Sequence, residues 1–284
     1  MGASSAAVLL GFADKAAAAA LPASSVPRSD DALPALLERL ALRQPAPPAS
    51  PAAAFSFEYG HWHEANALLV VMTALPELHV HEAGVYRVPF DGLPPMHASP
   101  DAIGVLPDGT RLVLEAKSKV PFRHDPARGT YTLLLQQTPT TVDPAHFAQV
   151  QLQLLATNTA QAKLAVVPAT ADAAIFTVNR SDEWLAAARE VLACTLGRLT
   201  SAVWAGRPPP GFLRHELGEG KWRAFLELTA RLCQQATETV VVVRMPAPAR
   251  SEYQPAFLHQ PADLHAYERE IAACRTSLQY KHVW

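Results

Sequence analysis

The sequence predicts a mixed α/β fold: a central mixed β-sheet flanked by helices, with additional C-terminal helices. The first observation is order. Apolar residues fall into helical and strand-like periods that run helices, three or four strands, a helix, two strands, then helices again. The second is that 49% of the 284 residues are hydrophobic, enough for a substantial core in one large domain or two small ones. The third is that only 7% are aromatic while alanine is abundant, so much of the apolar content sits in a residue that favours helices.

The elements follow in order. Ala3 to Ala20 reads as a first helix, and Asp31 to Arg43 as a second, with Leu33, Leu36, Leu37 and Leu40 on one face. Ser29-Asp30-Asp31 supplies N-cap chemistry before it. Gln44-Pro45-Ala46-Pro47-Pro48-Ala49-Ser50-Pro51 cannot be helical and marks a linker over residues 45–54, after N-terminal helices in residues 1–44. Phe57 to Leu75 returns to a helical pattern at the head of a core spanning residues 55–206. Leu78, Val80, Val85, Tyr86 and Val88 predict strands broken by a turn at Glu82-Ala83-Gly84. Strands are expected at Ala102–Leu106 and Arg111–Ala116, joined by the turn Pro107-Asp108-Gly109-Thr110. A polar loop is expected from Ser118 to Thr130 and a helix from Pro144 to Asn158. Strands at Leu164–Pro168 and Ala173–Val178 and a helix from Asp182 to Leu199 complete the core. Arg207-Pro208-Pro209-Pro210-Gly211 marks a break before a C-terminal helical extension in residues 207–284. That extension holds a helix at about Lys221 to Thr237, the β-prone run Val240–Val243 and a charged helical tail.

Composition narrows the function. A net charge of −2 does not fit a protein that coats nucleic acid, whose affinity comes from neutralising phosphates, but it leaves open an enzyme with a local basic surface. Cys194, Cys233 and Cys274 lie far apart with no CxxC pair, which argues against a zinc ribbon, an iron–sulfur cluster or a disulfide framework and points to an intracellular reducing compartment. No apolar run has the length of a membrane span. Ala6 to Ala20 superficially resembles a signal peptide, but it lacks a basic start and Asp14 and Lys15 interrupt it. It is read as a helix of the mature protein, with a transit peptide as the alternative.

The stretch that carries chemistry is Ser99-Pro100-Asp101, followed fourteen residues after Asp101 by Glu115-Ala116-Lys117. Residues two apart on a strand share a face, so Glu115 and Lys117 project together while Ala116 points away. A hairpin between Asp101 and Glu115 brings the two carboxylates side by side. With the Ala116 carbonyl they form a hard oxygen site suited to Mg2+ or Mn2+. A neighbouring lysine can orient the attacking water or neutralise charge in phosphodiester hydrolysis. Acid–x–lysine triplets are common on solvated strands. Here the triplet ends the apolar run Leu112-Val113-Leu114, and Asp101 itself opens an apolar strand. The loop after the triplet carries Lys119, Arg123, His124 and Arg128 against Asp125. That patch could grip a DNA backbone or be an ordinary solvated loop. His61 and His63 have no third ligand at a motif spacing and are read as polar helix residues, and Arg180-Ser181-Asp182-Glu183 as a helix start.

Four blocks in order resemble the lambda exonuclease (YqaJ-type viral recombinase) branch of the PD-(D/E)xK nuclease superfamily, over roughly Ala3 to Trp184. They are Tyr59-Gly60-His61-Trp62-His63-Glu64-Ala65-Asn66-Ala67, Ser99-Pro100-Asp101-Ala102, Glu115-Ala116-Lys117 and Ala148-Gln149-Val150-Gln151. The second block departs from the family's serine-proline-aspartate-glycine at Ala102. The resemblance implies a restriction-endonuclease-like sheet. It also implies metal held by Asp101, Glu115 and the Ala116 carbonyl with Glu64 added (two ions, Mg2+ or Mn2+, being the family expectation), Lys117 serving the nucleophile, and Gln149 positioning it or the scissile phosphate. A solvated helix residue is the other reading of Glu64. Gln149 and Gln151 cannot both face the site, and Gln149 is preferred. Gly2-Ala3-Ser4-Ser5 is similar to the family's 5′-phosphate-holding element, with Ser4 matching, although an N-cap explains it equally well; the family's arginine would fall upstream of Met1, either in a preceding segment or lost together with 5′-phosphate capture. The implied activity is metal-dependent DNA exonuclease action from duplex ends (5′–3′), in recombination, repair or viral and phage DNA processing. The implied partners are DNA, a ring-shaped homo-oligomer and a single-strand annealing protein, with no membrane. An endonuclease of the same superfamily and a non-catalytic DNA-binding protein that retains the fold are the alternatives. Nicked circles would mark the first; against the second stand the acids, the lysine and the glutamine, all of them present where decay would be expected to remove at least one.

Overall fold

The computed structural model describes residues 5–23, 25, 27–125, 130–200 and 206–241. Its centre is a six-stranded mixed sheet in the order β1-β4-β5-β8-β9-β10. These strands are β1 (His79–Glu82), β4 (Ala102–Val105), β5 (Arg111–Lys119), β8 (Gln161–Pro168), β9 (Ala173–Asn179) and β10 (Thr237–Val241). Two small hairpins stand apart from it: β2 (Tyr86–Val88) with β3 (Met96–Ala98), and β6 (Phe122–Asp125) with β7 (Thr130–Leu133). β5 and β8 run parallel and all other pairs in the large sheet are antiparallel. A parallel pair needs a crossover, and α4 (Pro144–Thr157) lies in that connection.

Helices cover both faces. α3 (Pro51–Ala74) packs on the face formed by Leu112, Leu114, Ala165 and Ile175. The other face, with Ile103, Val113, Leu164, Val166 and Phe176, meets α1 (Ala6–Leu9), α4, α5 (Asp182–Thr200), α6 (Phe212–Leu217) and α7 (Glu219–Gln235) in one large core. α2 (Ala32–Ala41) joins the same core through Leu33 and Leu37. Among the described residues no helix is long and apolar enough to cross a membrane. Cys194 and Cys233 are free thiols.

Several expectations are corrected. The first helix is not continuous to Ala20. It stops after Leu9, Gly11 turns the chain at φ +78°, and a short 3-10 turn follows at Lys15–Ala19 with Asp14 accepting from the Ala16 N–H. Gly11 is required there, since a Cβ would stand 2.7 Å from Leu213 and 3.2 Å from the Trp222 indole. The linker ends earlier than residue 54, because Pro51 opens α3 and the Ser50 hydroxyl caps it through the Ala53 N–H. The stretch expected as a loop after Ser118 continues β5 to Lys119 and then forms the β6–β7 hairpin. β3 and α6 were not expected at all. The β-prone run near Val240 is the edge strand β10, and it begins at Thr237. The charged tail, Cys274, and Val242 and Val243 of that run lie outside the described residues.

Candidate active site

The antiparallel β4–β5 pairing sets Ala102 opposite Leu114, so Asp101 comes level with Glu115 at the mouth of the hairpin. Asp101 is locked there twice. Its N–H donates to the Leu114 carbonyl at 3.2 Å, and its Oδ2 accepts from the Ala116 N–H at 2.6 Å. The turn between them closes as its chemistry requires: Gly109 takes φ +84°, Asp108 accepts from the Thr110 N–H, and Leu106 and Gly109 bond across it.

Glu115 points from β5 toward α4, with no exposed surface. Its Oε1 accepts from Lys117 Nζ at 2.5 Å and from Gln149 Nε2 at 2.7 Å, and its Oε2 accepts from Gln153 Nε2 at 2.6 Å. α4 delivers both amides because 149 and 153 are one helical turn apart. Gln151 looks the other way, donating to the Asn179 carbonyl at 2.7 Å and accepting from the Ser181 N–H at 2.9 Å. Lys117, partly exposed at 27%, bridges the buried carboxylate and solvent. Ser118, on the opposite face of β5, donates to the His63 carbonyl of α3 at 3.2 Å, tying the helix that carries Glu64 to this end of the sheet.

The electrostatics agree with this crowding. Burial, then the adjacent Glu115, and more weakly Glu64, push the Asp101 carboxyl up to about 7 against the pull of the Ala116 N–H and Lys117. Burial draws the Lys117 ammonium down, but Glu115, its hydrogen bond, Asp101 and Glu64 together hold it above the usual lysine value. Glu64 is therefore near enough for its charge to act on both residues.

Among the described residues no three His, Cys, Asp or Glu side chains stand close enough to enclose a metal ion by themselves. What is present is a corner of two repelling carboxylates beside the Ala116 backbone. Mg2+ is commonly held by one or two carboxylates, several waters and the substrate's phosphates, not by an all-protein cage. The oxygen donors at Asp101 and Glu115 fit that mode.

Not every candidate residue comes to this corner. Lys119 is exposed, one residue beyond Ser118, and near enough to act with Lys117 on His146. Arg123 has its backbone in β6 and its side chain outside the described residues, where Ser4 and Arg128 also lie. Sequence reading missed Gln153 and His146. Both were available as the i+4 and i−3 neighbours of Gln149 on one helical face. Burial pushes the His146 imidazole down to about 4, and its Nδ1 has no hydrogen-bond partner.

No family model and no curated protein matches the chain. Solved structures with a partial likeness to the chain include the following. The alkaline exonuclease LHK-Exo from Laribacter hongkongensis has a TM-score of 0.44 at 14% identity over 77% of this chain and 93% of that one. LHK-Exo in complex with dAMP has a TM-score of 0.45 at 12% identity over the same shares. The protein SSO0001 has a TM-score of 0.30 at 15% identity over 55% of this chain and 69% of that one. These identities establish no residue-level correspondence.

Proposed function

We propose that the chain is a divalent-metal-dependent DNA nuclease whose phosphodiester-cleaving site is the Asp101–Glu115–Lys117 corner. One observation carries the reading: two carboxylates fourteen positions apart are pressed together at the end of a buried strand pair, with an ammonium bridging to solvent. Such an arrangement is costly unless something positive is to be received there.

Asp101, Glu115 and the Ala116 carbonyl would hold the cation, with Glu64 behind them. When bound, it supplies Lewis-acid polarisation of the scissile phosphate and an acidified water. The chain's own residues do the rest. Lys117, hydrogen-bonded to Glu115 Oε1 and reaching solvent, would present a hydrogen-bond donor and a positive charge toward the phosphate or the attacking water. Gln149 holds Glu115 Oε1 alongside Lys117 and so fixes where the two meet. Lys119 on the solvent side of β5 would meet the DNA backbone. Mg2+ or Mn2+ as the physiological ion, two ions in place of one, exonucleolytic 5′–3′ action from duplex ends, a ring-shaped oligomer, an annealing partner and a recombination, repair or viral role rest on the family resemblance of the sequence motifs.

The test is incubation of linear and closed-circular duplex DNA with Mg2+, with Mn2+ and with chelator. The expected result is shortening of linear DNA from its ends, abolished by chelator, with circles left intact. Nicked circles would make the protein an endonuclease of the same chemistry. DNA binding without cleavage under any metal would make it a non-catalytic binder. Lys117→Ala is expected to lose about 10²-fold or more in rate, the scale of removing one transition-state donor, and full activity in that variant would overturn the assigned site.

A further inference from the structure

We infer that Gln153 is a positioning residue for the Glu115 carboxylate, an inference that rests on the nuclease reading of this corner. Gln153 has no exposed surface. Its Nε2 donates both to Glu115 Oε2 at 2.6 Å and to the Ser99 carbonyl at 3.2 Å. One nitrogen therefore ties β5 to the turn that delivers Asp101 two residues later, joining the two segments that carry the carboxylates.

The orientation of the amide is set by its partners. A carboxylate and a carbonyl only accept, so the NH2 must face them and the oxygen must face away. That leaves Gln153 Oε1 buried with no hydrogen-bond partner. An orphaned buried acceptor carries a desolvation cost that a leucine or methionine of similar volume would not. Packing alone does not account for a glutamine here. What the amide adds is the rotation of Glu115: one oxygen is turned to Gln153, and the other is left toward Lys117 and Gln149. Without it the terminal carboxylate torsion, which is soft and roughly two-fold, has one fewer restraint.

Gln151 provides the internal control. It is equally buried on the same helix, yet its amide serves Asn179 and Ser181. The experiment compares the full-length protein with its Gln153→Met, Gln153→Asn and Gln151→Met variants. It measures the Mn2+ dissociation constant by calorimetry and the half-saturating Mn2+ concentration for cleavage of a linear duplex. Partners that orient metal-binding side chains are typically worth about 10–100-fold in metal affinity or activity, so Gln153→Met is expected to raise both quantities about tenfold or more with circular dichroism unchanged. Gln153→Asn, which keeps the amide but draws it back by one methylene, is expected to shift them the same way and serves if the methionine variant does not fold. Gln151→Met is expected to lower the melting temperature and leave both quantities alone. Folded Gln153 variants that respond to Mn2+ like wild type would overturn the inference and leave the nuclease reading standing. An equal metal response in Gln151→Met would also overturn it, since the effect would then be a general loosening of α4. If wild type neither binds Mn2+ nor cleaves DNA, the nuclease reading fails and this inference falls with it.

Discussion

Glu115 accepts three hydrogen bonds from side chains while having no contact with solvent, so its charge and its surroundings are matched to each other. Glu115→Gln would set an amide donor against the donors of Gln149, Gln153 or Lys117. We expect it to weaken Mn2+ binding and to destabilise the fold by about 1–3 kcal/mol, the cost of an unmade buried hydrogen bond, measured by urea denaturation. Asp101 makes a pH prediction. Burial and Glu115 lift its carboxyl to about 7, so between the ordinary carboxylate range and about 7 the folded molecule holds a proton that the unfolded chain has released. Its contribution to stability therefore falls as pH rises through that window, and protonation on the acid side favours the fold. Asp101→Asn is expected to raise stability at pH 8 by on the order of 1–2 kcal/mol in metal-free buffer, with a smaller gain at pH 5. Urea midpoints at both values would contradict this if the variant gained nothing at pH 8.

At the scale of elements, α4 connects the site to the core. Its N-terminus is set by Asp143, which accepts from the Ala145 N–H at 2.7 Å, and by Pro144 in the first turn; Asn158 closes it in the left-handed conformation. Asp143→Ala is expected to cost about 1 kcal/mol, as for other N-caps, read as a lower melting temperature. His146 lies in the first turn of the same helix. Burial holds its imidazole down at about 4, against Asp143, which acts to raise it, with Lys117 and Lys119 adding to the lowering. The folded form keeps it neutral while the unfolded chain takes a proton near pH 6.5. Its contribution is thus lost as pH falls from about 6.5 toward 4, the reverse of Asp101. His146→Leu is expected to remove that acid-side loss, measured as urea midpoints at pH 7 and pH 5. In β4, a Cβ on Gly104 would stand 2.8 Å from Leu78, so Gly104→Ala is expected to cost about 1–3 kcal/mol unless Leu78 repacks.

At the scale of the whole molecule, Trp184 holds α4, α5 and α7 together. It meets Phe147 edge-on at 5.5 Å and Phe225 at 5.7 Å between ring centroids, and its indole N–H donates to Thr229 Oγ1 at 2.8 Å. Trp184→Ala is expected to cost about 3–5 kcal/mol by urea denaturation, the usual range for emptying a buried aromatic site. Because α4 is one of the three partners, metal affinity should weaken with it. Conservative surface changes such as Lys221→Ala, whose ion pair with Glu190 spans 3.6 Å between largely exposed groups, should leave both properties unchanged.

The sequence alone determined what local chemistry controls. Short continuous apolar runs on either side of a Pro-Asp-Gly-Thr turn specify the β4–β5 hairpin, and a hairpin of that length makes Asp101 and Glu115 neighbours whatever surrounds it. Strand alternation likewise places Glu115 and Lys117 on one face, and the apolar spacing with an Asp-Pro start specifies α4. Tertiary structure decided the rest. That Glu115 is buried, that Gln153 reaches it and that Gln151 turns to Asn179 depend on how α4 docks on the sheet, a packing angle no single segment encodes. The break at Gly11 is likewise set by Leu213 and Trp222, about two hundred residues away in sequence. The β6–β7 hairpin was missed because Phe122-Arg123-His124-Asp125 is largely polar and Thr130-Tyr131-Thr132-Leu133 alternates over only four residues; pairing between the two makes them strands. Local periods are written in neighbouring residues, whereas the burial of a charge is a property of everything that closes over it.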